Sequence, residues 1–149
     1  MADVRSDGAG LSEAERAAVK ERAAELRAEK SRGTSAAKRE KGLKAVLDAI
    51  AAMAEPDRGL AETFHTIVTE VAPDLEPKTW YGMPAYAKNG TVLTFFQAAG
   101  KFDARYATFG FNDVAQLDDG ALWPTAYAVI EFTDAVKATV RDLIARAVG

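Results

Sequence analysis

The 149-residue chain has no cysteine and a single histidine, His65, and none of its apolar runs approaches the ~20 residues that a bilayer span requires. Without thiols there is neither a disulfide framework nor a thiolate nucleophile, and with one imidazole the usual ligands of a structural or hydrolytic zinc site are missing. The four serines, Ser6, Ser12, Ser31 and Ser35, all lie within the first 35 residues, so a Ser-His-Asp triad built on the later part of the chain has no nucleophile. No glycine-rich phosphate loop is present, since Gly8-Ala9-Gly10 lacks the third glycine and a preceding strand. The start, Met1-Ala2-Asp3-Val4-Arg5, lacks the hydrophobic segment of a signal peptide, and with the absence of cysteine this gives a cytoplasmic expectation.

What is present describes one ordinary globular domain. An apolar fraction of 48% with 28% charged residues suits a packed soluble chain, which at this length can bury roughly two-thirds of the surface its unfolded form exposes. Charge is unevenly placed: the first 45 residues are net basic and the remainder is acidic. An acidic body argues against nucleic-acid binding by the domain, because phosphate contacts need a basic face. The basic run Lys30, Lys38, Arg39, Lys41 and Lys44, interspersed with Gly33, Thr34 and Ser35, reads as a solvated linker over residues 31–44 or as a contact for an acidic partner.

Residues 1–42 read as a charged helical arm with this basic linker, and residues 43–149 as an α+β domain. Ser12 and Glu15 form a capping box, so a helix is expected over 11–30, with a thin apolar stripe of Leu11, Ala18, Val19 and Leu26. Such a helix either docks lightly or projects, and a homo-oligomer formed through it is one expectation. Leu43, Val46, Leu47, Ile50 and Met53 recur at helical spacing, as do Leu60, Phe64, Ile67, Val68 and Val71, giving two core-facing helices divided at Pro56-Asp57, with Asp57 as cap of the second. Pro73 and Pro77 close the helical half, and His65, at the margin of the apolar face, reads as a structural residue.

Lys78-Thr79-Trp80-Tyr81-Gly82-Met83-Pro84-Ala85-Tyr86 then marks a turn into a sheet: glycine tolerates positive φ, and Pro84 drives Met83 into extended backbone. Asn89-Gly90 signals a hairpin between 85–88 and 91–97. Alternation over 105–111 places Ala107, Phe109 and Phe111 on one side, and a strand over 124–132 would turn Ala128, Ile130 and Phe132 inward. A short helix is expected from Asn112-Asp113 to Gly120. Thr133 caps a last helix with Val136, Val140, Leu143, Ile144 and Ala147 on one face. The fold expectation is α+β: N-terminal helices, a curved antiparallel sheet of about four to five strands, and a C-terminal helix packed on the sheet.

Oxygen chemistry and two cations remain for function. Asp113, Asp118 and Asp119, or Glu70, Asp74 and Glu76, could hold a hard cation, although neither set follows a known loop pattern. Twelve of the 13 aromatic residues fall from Trp80 to Phe132, so part of the set can line a cleft as well as the core. The candidate ligand-binding residues are Trp80, Met83, Tyr86 and Trp123, with Lys101 or Arg105 at the mouth to attract an anionic group. This inventory favours binding over catalysis.

Gly82-Met83-Pro84-Ala85-Tyr86, following two amphipathic helices and preceding a glycine-containing hairpin and an aromatic strand, resembles the YdhG-like domain family. The resemblance covers roughly Leu43 to the C-terminus. It implies a small α+β domain with a curved antiparallel sheet, and, from a member described as a frataxin-like iron chaperone, iron as cargo and iron-requiring proteins as partners. Where members often carry a Lys-His pair after the hairpin, this chain has Lys101-Phe102.

Overall fold

A computed structural model of the chain describes residues 11–31 and 35–149. Four helices and five strands follow one another as α1 (Glu13–Ser31), α2 (Ser35–Ala51), α3 (Asp57–Val71), β1 (Glu76–Trp80), β2 (Met83–Lys88), β3 (Thr91–Gln97), β4 (Ala107–Phe111), β5 (Ala126–Val129) and α4 (Asp134–Val148), with a 3-10 turn at Gly100–Phe102. The strands form one open antiparallel meander in sequence order. This is the expected α+β arrangement. Among the described residues no helix is long and apolar enough to cross a membrane.

Local chemistry accounts for most of the ends. The Ser12 hydroxyl accepts the Glu15 N–H at 3.0 Å while Glu15 accepts the Ser12 N–H at 2.8 Å, so the capping box closes as expected. Thr133 Oγ1 accepts the Val136 N–H and starts α4. Asn89 and Gly90 have φ of 51° and 83°, and Tyr81 and Gly82 have 53° and 77°; positive φ at both central residues is what a two-residue hairpin turn needs.

The aromatic motif is therefore itself a hairpin. Its first strand, β1, runs through Pro77, a residue that in sequence reads as a stop. In β1, however, Pro77 lies on the sheet's outer strand, where a missing N–H costs least. Pro84 lies in an interior strand, and the β2–β3 ladder starts one residue beyond it, at Ala85.

The core lies between one sheet face and helices α2, α3 and α4. Phe64 of α3 is its centre, with ring centroids 6.1, 5.9 and 5.4 Å from those of Tyr86, Phe96 and Phe109. Strand register puts Trp80, Met83, Ala85 and Phe95 on the other face, where the Trp80 and Phe95 rings pack 5.3 Å apart.

Several expectations change. The stretch read as a linker is helical from Ser35 onward, and residues 32–34 lie outside the described ones. Val46 and Ile50 of α2 are buried, whereas Leu43 and Leu47 are exposed. No helix forms over 112–120: the Gln116 N–H donates to the Ala147 carbonyl at the end of α4 rather than to a local carbonyl. In β5 the inward residues are Tyr127 and Val129, because they pair with Phe109 and Ala107 on the core face. Ile130 is 78% exposed and Ala128 points outward, so within β5 the inward set is one residue off the expected one, while Phe132, past the end of the strand, packs against the core as expected.

Candidate functional site

A cavity of about 390 Å³ opens where the end of α2, the start of α3, the Tyr81-Gly82 turn and the 3-10 turn meet. Its apolar wall is Ala49, Ala52, Met53, Met83, Phe96 and Ala98, and its polar rim carries Lys101, Glu21 of α1 and Asp57. The tight turn places Gly82 on the rim, where a Cβ would lie 2.5 Å from both Glu21 Oε1 and Lys101 Nζ, so this position admits no side chain as the rim stands.

Asp57 does not cap α3 through its side chain. The N-cap is Pro56, without a side-chain bond, and Glu55 Oε1 accepts the Gly59 N–H at 2.9 Å instead. Asp57 is 8% exposed, and its two carboxylate oxygens accept the Ala99 and Gly100 N–H groups at 3.0 and 2.9 Å. Two charge-assisted bonds of this kind tie the 3-10 turn to the head of α3 and fix the wall that carries Lys101.

The opposite rim is α1, which docks on its own domain through glutamates. Glu21 Oε1 lies 2.7 Å from Lys101 Nζ. Glu25 accepts the Tyr81 and Gly82 N–H groups at 3.0 and 2.9 Å, one on each oxygen. Glu29 pairs with Lys78 and Arg22. Burial opposes the Glu29 charge, but Lys78, with Arg22 and Lys38, outweighs it and holds that carboxyl below the usual range.

Of the six residues expected at a ligand site, the structure brings Met83 and Lys101 to this cavity. Tyr86 is sealed in the core, its hydroxyl 2.8 Å from His65 Nδ1. Burial pushes the phenol up and the imidazole down, so both are neutral near pH 7 and the bond joins uncharged partners. Trp80 packs between Tyr81 and Phe95, and Trp123 is half-buried against the core. Arg105 is exposed and lies over the Tyr106 ring, 5.1 Å from its centroid, away from the cavity.

Asp113 and Asp118 share an open hollow at the Asn89 hairpin with Gln116 and Lys88, and Asp119 does not line it. Glu70 is paired with Arg141 at 2.6 Å. Among the described residues no three His, Asp or Glu side chains gather as a metal would need.

Glu21, Glu25 and Asp57 were not anticipated at the site. The first two left a signal, glutamates recurring every four residues on one helix face, but nothing in the sequence said what they meet. Asp57 left only the look of a local cap. Comparison of the chain with protein-family models, with curated proteins and with solved structures found no match.

Proposed function

We propose that the chain is a small-ligand binding protein whose ligand is an amphipathic anion, its apolar body held against Met53, Met83 and Phe96 and its charged end against Lys101. One observation carries this reading: a cavity of about 390 Å³ with a largely apolar wall and an ammonium group on its rim. Such a mixture suits recognition of a small organic anion. Binding is favoured over catalysis because Asp57 is committed to two backbone N–H groups and, among the described residues, no serine or histidine lines the cavity.

Octanoate, with octanol as the neutral comparator, tests the reading by NMR of the Met53 and Met83 methyl groups. Saturable shifts with octanoate are expected, and Lys101→Met is expected to weaken octanoate about tenfold, consistent with one charge-assisted contact, while leaving octanol unchanged. No saturable shift with either compound would overturn it.

Iron handling, the function implied by the YdhG-like resemblance, is a second reading and draws on Asp113 and Asp118 facing one hollow. Anaerobic calorimetry with ferrous iron tests it. A saturable site lost in Asp113→Asn supports the reading, and affinity no better than that of scattered carboxylates removes it.

A further inference from the structure

Glu21, Glu25 and Glu29 stand four residues apart, so α1 presents three carboxylates in one line along its docked side. Their partners belong to the hairpin and the 3-10 turn. Lys78 is in β1, the Tyr81 and Gly82 N–H groups form the turn, and Lys101 follows β3. Two successive turn N–H groups gripping one carboxylate, which Arg22 also approaches at 3.5 Å, make an oxyanion receptor, with Lys101 paired to the glutamate one turn before and Lys78 to the one after.

Apolar burial contributes little to this contact. Ala18 is the buried apolar side chain of α1, while Val19 and Leu26 are exposed. The Glu21–Lys101 pair is the exposed one, of the kind that contributes little and is weakened by salt, so an external oxyanion meets its weakest competitor there, while the Glu25 and Glu29 contacts are part-buried.

We propose that the Tyr81-Gly82 amide pair, with Lys101 beside Gly82 on the cavity rim, is an oxyanion-binding site, and that Glu25 and Glu21 occupy it in the absence of ligand. A ligand carboxylate or phosphate takes their places, its apolar part enters the cavity, and α1 is released from the rim. This inference rests on the cavity being a ligand site, and it adds two points: the backbone amides as the anion's main grip, and competition by α1 as the control on affinity.

The test compares the full chain with Glu21→Gln/Glu25→Gln and with Glu62→Gln/Glu131→Gln, a control of equal charge at exposed positions away from the rim. Each is titrated with octanoate, octyl phosphate and octanol while the Tyr81 and Gly82 amide signals and the Met53 and Met83 methyl signals are followed. The rim variant is expected to bind the anions about tenfold more tightly than the other two proteins, in the range usual for coupled sites, with the Gly82 amide moving most. The anion that gains more identifies carboxylate or phosphate as the preferred group.

Equal affinity in all three proteins, with the methyl signals still responding, overturns the competition and leaves the cavity reading intact. No response to any probe overturns both. Independently of any ligand, amide exchange in α1 of the unaltered chain is expected to quicken between about 0.05 M and about 1 M sodium chloride, where screening shortens to a few ångströms. Exchange insensitive to salt overturns a charge-held α1.

Discussion

Replacing Gly42 by alanine is expected to destabilise the protein, although the same exchange in most helix interiors gains about 1 kcal/mol. Gly42 lies in α2 against β1. A methyl group there would overlap the Pro77 carbonyl oxygen and sit 3.2 Å from the carbonyl carbon. Both atoms are backbone, in a strand paired along its length with β2, so neither can rotate aside as a side chain could. Overpacking costs about 1–3 kcal/mol, and a fixed obstacle places the cost at the upper end.

Subtracting the helix gain leaves a net loss of about 2 kcal/mol. With a urea slope of about 2 kcal/mol/M, the midpoint falls by about 1 M at unchanged slope. The melting temperature falls by roughly 4–8 °C for a domain of this size. Gly59→Ala is the internal comparator. A Cβ there lies 3.1 Å from Glu55 Oε1, the end of a flexible side chain that yields by a few tenths of an ångström while still accepting the Gly59 N–H, so its midpoint is expected to stay within roughly 0.2 M of the unaltered chain at the same slope. A Gly42→Ala midpoint equal to or above that of the unaltered chain would refute the close approach of α2 to Pro77 as the reason for glycine.

Other consequences follow from the same contacts. Asp57→Asn keeps one acceptor for two part-buried donors and should cost about 1–2 kcal/mol in urea unfolding, with faster exchange of the Ala99 and Gly100 amides; full protection of both would show that the charge is dispensable. Burial lowers the His65 pKa below 6.5 in the folded protein, so the unfolded chain takes up the proton first as pH falls. Stability should therefore decline from pH 6.5 downward through the depressed folded value, and His65→Gln should remove that decline in denaturation midpoints recorded across the window. Glu29 titrates in the opposite sense: its carboxyl is held below 4.5, so the stabilisation it contributes is complete above 4.5 and is lost as pH falls through the lowered value. Amides of α1 should then exchange faster under acid than those of α3, and loss of protection in both at the same pH would show that α1 does not detach separately.

The sequence by itself determined the elements whose signals are local. Ser12 with Glu15, Thr133, and Asn89-Gly90 each satisfy backbone groups or a turn geometry within four residues, so their identity was enough. The α+β order of helices, strands and a last helix follows from periodicity in the same way.

Only tertiary structure decided the rest, because the partners are distant in sequence or equivalent in pattern. Residues 126–130 are all apolar or aromatic, so alternation could not choose an inward face, and pairing with Phe109 chose Tyr127. The carbonyl of Ala147 took the amide that would have helped build a helix at Gln116. Asp57 reaches across 42 positions to Ala99, and Glu25 across 56 to Tyr81. A carboxylate carries no record of which distant N–H it will meet, so the cavity and its glutamate-lined rim exist only once the sheet has brought those amides into place.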